Sequence, residues 1–250
     1  MSMRKAVILA AGKGTRMKEL TAEIPKPMLP VNHMPVLEWI VRNLAVAGVR
    51  ELLVITGYKA ETIERYFTDG SNWGCSIRFM RQVTQDGTGR VVALSRDFVG
   101  IDPFLLVYAD ILVEAGTYTD LINAFNQRKN TSGIITVKLG EDISKGGVIL
   151  FDKDFRLADL VEKPSPDELK RLQARGHFKP WYNAGLYAFT PALFPHIDRL
   201  KKSPRGEYEL TDAIRSLALE SETVYGHEIR GYWIDVRDAE LLAKAQSLVK

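Results

Sequence analysis

Residues 6–11 form an unbroken apolar run that leads into Gly12-Lys13-Gly14-Thr15-Arg16, a loop of small residues closed by a guanidinium. Glycines carry no Cβ, so successive backbone N–H groups can line up against an anion. Arg16 adds a planar, permanent cation just past the loop. Lys26, set between Pro25 and Pro27, adds a compact one. The two prolines restrict the backbone that presents this ammonium. Amide donors with two cations suit a polyanion of the nucleoside triphosphate kind.

Two familiar glycine loops are excluded. A P-loop needs four residues between its glycines and then Lys with Ser or Thr, whereas Gly12 and Gly14 are separated by one residue. The dinucleotide fingerprint needs Gly or Ala where Met17 stands, and an acid at the end of the second strand, where Thr56-Gly57-Tyr58 follows. A dehydrogenase is therefore disfavoured. Two carboxylates follow apolar strands: Asp110 after residues 103–108, and Asp235 in Trp233-Ile234-Asp235-Val236. Mg²⁺ takes one or two carboxylates and fills its remaining positions with phosphate and water, so two distant aspartates meeting at one ion is sensible chemistry. Gln82, in Gln82-Val83-Thr84-Gln85-Asp86-Gly87-Thr88-Gly89, offers a donor and an acceptor together, as the imide edge of uracil or thymine requires. An amide can flip, so cytosine fits as well.

The string Leu9–Met17 with Pro25–Pro30 resembles the N-terminal signature of the sugar-1-phosphate nucleotidylyltransferases. The resemblance runs from about residue 6 to 242, with its motifs in order. It implies transfer of a nucleotidyl group from an NTP to a sugar 1-phosphate, giving an NDP-sugar and pyrophosphate with Mg²⁺ as cofactor. UTP or dTTP and a glucose-type phosphate are the expected substrates. It implies catalytic roles for Arg16, on the triphosphate, and Lys26, on the α-phosphate. It places Leu9, Ala11, Gly12, Gly14, Thr15, Gln82, Gly87, Thr88 and Asp110 at the nucleotide, and Asp110 with Asp235 at the metal. Gly147, Glu162-Lys163-Pro164 and Asn183-Ala184-Gly185 are similar to three sugar-phosphate motifs, and Tyr108 is set at the same pocket, although an aromatic ending a strand serves a core equally well. Three departures stand out: Ala109 replaces the more usual Gly, Gly89 a frequent Ala, and Gly146 a common Tyr. The rival expectations are a CTP-dependent enzyme acting on a phosphocholine-like acceptor and a catalytically silent regulatory paralogue.

The elements that must position these residues read as alternating strands and helices: strands at 6–11, 51–55, 76–81, 103–108 and 133–139, helices at 36–47, 60–67, 90–98 and 118–129. Such alternation predicts a Rossmann-like three-layer α/β/α fold with a largely parallel mixed sheet, whose ligands gather at the carboxyl ends of the strands. After 139 the rhythm changes: a hairpin at 148–151 and 157–161, a strand at 182–189, short strands at 224–229 and 232–234, and helices at 166–174, 191–197, 208–220 and 238–249. The expected organisation is one nucleotidyltransferase domain, 1–250, with a nucleotide-binding part at about 1–139 and a sugar-phosphate-binding part, forming a lid, at about 140–250. Glu207 or Thr211 is expected near a helix start, with Tyr208 packing.

The 250 residues carry a net charge of +3, which suits anionic small molecules and lacks the long basic stripe of a nucleic-acid binder. The four cations within 199–205 read as a solvated loop. Cys75 is the only cysteine, so no intrachain disulfide can form, which fits a reducing cytoplasm and a buried thiol. No apolar run approaches a membrane span, and the N-terminal one is too short for a signal peptide. His33, His177, His196 and His227 lack metal-ligand spacing. A homo-oligomer is compatible with the chain.

Overall fold

The computed structural model describes residues 3–14, 17, 20–174, 179, 181–221 and 223–249. Along the first half run β1 (Lys5–Ala10), α1 (Leu20–Glu23), the small hairpin β2 (Pro30–Val31) and β3 (Met34–Pro35), α2 (Val36–Val46), β4 (Glu51–Thr56), α3 (Ala60–Phe67), β5 (Ser76–Arg81), α4 (Thr88–Ala93), α5 (Arg96–Val99) and β6 (Phe104–Tyr108). The rest comprises β7 (Ile111–Val113), α6 (Gly116–Gln127), β8 (Gly133–Lys138), β9 (Gly147–Phe151), β10 (Leu157–Glu162), α7 (Pro166–Gln173), β11 (Trp181–Phe189), α8 (Phe194–Asp198), α9 (Leu210–Ser221), β12 (Val224–Glu228), β13 (Trp233–Asp235) and α10 (Ala239–Leu248).

Among the described residues, nine strands form one mixed sheet covered by helices on both faces, an α/β fold. β5, β4, β1 and β6 pair in parallel, as the βα alternation predicts. Side chains alternate across a strand, so a strand buried on both faces must be apolar throughout. In β1, Ala6, Ile8 and Ala10 enter the core under α2, α3 and α6, while Val7 and Leu9 enter the opposite core with α4, α8 and α9. The second half adds strands to the same sheet, mostly antiparallel: β11 joins β6 and β8, and β9 with β10 forms the expected hairpin. Among the described residues, no helix is long and apolar enough to cross a membrane.

β11 creates the cleft. Along one edge it pairs with β8 at residues 182–183 and 187–189. On the other edge, residues 186–189 pair with β6 and residues 181–182 with β9. The pairing shifts between Asn183 and Tyr187, and Gly185 there has φ +77°. One neighbour has ended and the next has not begun, so the sheet opens at the carboxyl end of β6.

Local packing moved several boundaries. The helix expected over 90–98 divides at Ser95, whose buried Oγ donates to the Val92 carbonyl at 2.7 Å and competes with the helical ladder. The helix expected from 208 starts at Leu210, because the Tyr208 backbone is committed to residues 86–89. The segment 191–197 opens with a 3-10 turn led by Pro191 before α8. β7 follows β6 after two residues and was not anticipated. It pairs antiparallel with β13, setting Ile111 opposite Asp235.

Gly185 tests this account of the bend. A Cβ there would lie 2.4 Å from Ile111 Cδ1 and 2.9 Å from Tyr108, in a backbone conformation that side chains disfavour. Gly185→Ala should lower unfolding free energy by about 2 kcal/mol or more, from strain and overpacking together, as read by urea denaturation.

Candidate active site

The β7–β13 ribbon brings the two distant aspartates together. Val236 N–H donates to the Asp110 carbonyl at 2.9 Å, locking the ends of β6 and β13 side by side. Trp233, buried, donates its Nε1 hydrogen to the Ala184 carbonyl at 2.8 Å and anchors β13 on the bend of β11. Between the carboxylates lies the ammonium of Lys26, 2.5 Å from Asp110 Oδ2 and 3.9 Å from Asp235 Oδ1. Arg237 flanks Asp235 from the other side at 3.6 Å. Lys26 opens a 3-10 turn with Pro27 in its first positions, and Pro25 before it is extended, with the φ of −64° that its ring fixes.

Two cavities meet at Asp110, and Lys26 behind it lines neither. The first, of 330 Å³, is lined by Leu9, Ala11 and Gly12 of the loop, Gln82, Gln85 and Gly87 of the segment before α4, Thr88 at its start, and Asp110. The second, of 250 Å³, is lined by Gly147, Glu162, Lys163, Asn183 and Asp235, with Arg205, Glu209 and Thr211. Thr88, Tyr108, Asp110 and Glu207 face both. Of the expected nucleotide residues, Gly14 lines neither cavity: it packs against the Lys26 side chain, where a Cβ would lie 3.0 Å from Lys26 Cβ. Thr15 and Arg16 lie outside the described residues, as does His177.

The wall between the cavities is tied together through backbone. Tyr208 N–H donates to the Asp86 carbonyl, Gly89 N–H to the Tyr208 carbonyl, and Leu210 N–H to Thr88 Oγ1. Gly87 has φ +119°, and a Cβ on it would strike the Tyr208 backbone at 2.4 Å. A Cβ on Gly89 would meet Leu200 at 2.3 Å, which explains why glycine replaces the frequent alanine. The missing side chain at Gly146 also has a physical account: the Tyr182 ring and hydroxyl fill its place, 2.3 Å from where a Cβ would be.

Four groups at the site escaped sequence reading. Arg205, expected to face solvent, reaches into the second cavity, 3.3 Å from Glu209, 3.4 Å from Glu207 and 4.0 Å from Glu162. Thr211 is buried beside the same cavity, and its hydroxyl has no hydrogen-bond partner among the described residues. Gln85 crosses the first cavity and donates from Nε2 to the Ala11 carbonyl at 3.1 Å, while Gln82 donates to the carbonyl of Thr84. Tyr182 lines the second cavity, and burial with the nearby Asp235 charge pushes its hydroxyl up to about 12. Asn183 is held by Tyr187, to whose hydroxyl it donates at 2.9 Å. Elsewhere, Cys75 is buried with its thiol pushed up by burial, and His196 is buried and bonded to Ser216 and Arg199.

Residues 5–250 match the nucleotidyl transferase family. The chain is 33% identical, over 98% of its length, to the low-salt glycan biosynthesis nucleotidyltransferase Agl11 of Haloferax volcanii, of which it covers 66%. It is 30% identical over its whole length to a glucose-1-phosphate thymidylyltransferase of Xanthomonas campestris pv. campestris, covering 82% of that protein. It spans about half of the bifunctional protein GlmU of Methanococcus aeolicus, at 36% identity. The fold superposes on a UDP-glucose pyrophosphorylase complexed with UDP-glucose with a TM-score of 0.85, covering 98% of both chains at 23% identity. The chain belongs to the nucleotidyl transferase family.

Glu162 gives the site a pH signature. Burial pushes its carboxyl above the usual glutamate range; Lys163 and Arg205 pull it down, and Glu209 and Asp212 push it up. The protonated form therefore favours folding. That contribution is complete below the unfolded glutamate value and is lost as pH rises through the higher folded one. Glu162→Gln should match wild-type stability below about pH 4 and exceed it near neutrality, as read by urea denaturation across pH.

Proposed function

We propose that the chain transfers a nucleotidyl group from an NTP to a sugar 1-phosphate. A phosphate oxygen of the sugar phosphate attacks the α-phosphorus in line, and the bond to pyrophosphate breaks. The observation that carries this reading is that two cavities share Asp110, whose carboxylate is paired with Lys26 and lies beside Asp235 of the second cavity. The acceptor is already an anion, so catalysis consists of alignment and charge stabilisation and needs no protein nucleophile.

In this reading, residues of about 1–139 hold the nucleotide and those of about 140–250 the sugar phosphate, within one domain. The Gly12 loop and Arg16 take the triphosphate, Gln82 with Gln85 faces the base, and Thr88 and Asp110 stand between the substrates. Lys26 neutralises the α-phosphate. Lys163 and Arg205 supply charge for the sugar phosphate, while Glu162, Asn183 and Thr211 offer hydrogen bonds to sugar hydroxyls. The donor set at Asp110 and Asp235 fits Mg²⁺: two carboxylates already share one cation, and substrate oxygens and water would complete the shell. When bound there, the metal supplies charge neutralisation between the two phosphates. UTP or dTTP with glucose 1-phosphate is the favoured pair. An amide suits the imide edge, and the thymidylyltransferase likeness covers the whole chain.

A pyrophosphate-release assay of four NTPs against a panel of sugar 1-phosphates, with Mg²⁺, tests the reading. Turnover should be greatest with UTP or dTTP and a glucose-type phosphate, and silence across every pair would overturn it. Within the preferred pair, Thr211→Val should raise the KM for the sugar phosphate about tenfold, the effect of one lost hydrogen bond, with little change in the KM for the nucleotide. Equal changes in both would remove Thr211 from the sugar subsite.

A further inference from the structure

The Lys26 ammonium sits where a metal ion would have to bind. It contacts Asp110 Oδ2 at 2.5 Å and lies 3.9 Å from Asp235 Oδ1, with its side chain only 12% exposed. Mg²⁺ or Mn²⁺ bonds carboxylate oxygens at about 2.1 Å. An ion bridging these carboxylates would overlap the ammonium or lie against it, and two adjacent cations at one carboxylate repel. Metal and Lys26 therefore compete for the same oxygens.

We propose that Lys26 is a stand-in for the divalent cation in the free protein. It holds Asp110 and Asp235 together and keeps their metal affinity low until a nucleotide arrives. The exchange conserves ion pairs: the metal takes the carboxylates, and the ammonium moves to the phosphates that enter with it. The Lys26 stem already lies beside the anion loop: a Cβ on Gly14 would stand 3.0 Å from Lys26 Cβ and 3.5 Å from Lys26 Cδ, so the ammonium is carried on a stem next to the loop that faces the phosphates. The charge is retained at both stages, so the carboxylates are never left facing each other without a cation. The device rests on the metal-assisted reading above, yet it concerns the protein without nucleotide.

Mn²⁺ titration of the nucleotide-free protein, followed by the free-ion EPR signal, separates the two ideas. Wild type should bind weakly. Lys26→Met and Lys26→Gln, which remove the competing charge, should bind at least tenfold more tightly, while Lys26→Arg should stay within about threefold of wild type. Variants that bind no better than wild type would sink the stand-in role, even where wild type turns over substrates with metal. Wild type lacking any metal-dependent turnover would sink the metal reading itself. A second measurement does not depend on the variants folding: amine labelling of wild-type Lys26, read by peptide mass spectrometry, should increase when Mn²⁺ saturates the free protein. Unchanged labelling would overturn the exchange.

Discussion

One ammonium between two carboxylates organises the active end of this molecule. Lys26 comes from a proline-bounded turn, Asp110 from the end of β6 and Asp235 from the end of β13, three regions far apart in sequence. Two carboxylates brought this close and partly buried would repel, and burying unpaired charge is costly. The ammonium makes the arrangement tenable, and the β7–β13 pairing makes it specific. Register fixes Asp235 opposite Ile111, and the Val236 hydrogen bond to Asp110 leaves little freedom in the spacing.

The fold serves this cluster by building the sheet in two styles. The parallel strands β5, β4, β1 and β6 deliver the glycine loop and Asp110 to one end, where backbone amides and carboxylates converge. The antiparallel strands of the second half extend the same sheet. β11 exchanges β6 for β9 along one edge and so leaves an opening beside Asn183. A buried tryptophan on β13 and a glycine with positive φ on β11 hold that opening in shape. Hydrophobic cores pack both faces of the sheet behind it, and Leu9, Val91, Ile111 and Trp233 bring apolar surface into the cavities themselves.

Much of this was legible in the chain, where local chemistry was enough. The helix at 60–67 and the strand at 76–81 have the expected bounds, because apolar spacing alone specifies them. The residues placed at the sugar phosphate, Tyr108, Gly147, Glu162, Lys163 and Asn183, line one cavity, since the first four sit at strand ends and Asn183 at the bend of β11. What stayed hidden depends on contacts between remote segments. β7 has three residues and gains its identity only from β13. Tyr208 and Glu209 read as helical, but the 86–89 loop holds the Tyr208 backbone outside α9. Arg205 sits in a cluster of cations that resembles any solvated loop, and only the fold turns it inward towards Glu162 and Glu209. Nothing in sequence marks Thr211 as a buried hydroxyl without a partner among the described residues.

The stitching of Asp86, Thr88 and Gly89 to Tyr208 and Leu210 carries a consequence for cooperation between ligands. The two basins share a partition held by two main-chain hydrogen bonds and one from Leu210 N–H to the Thr88 hydroxyl. A guest that stilled this partition from one side would leave less motion for a second guest to arrest. Such coupling would run through the Tyr208 main chain rather than through the side chains that line either cavity.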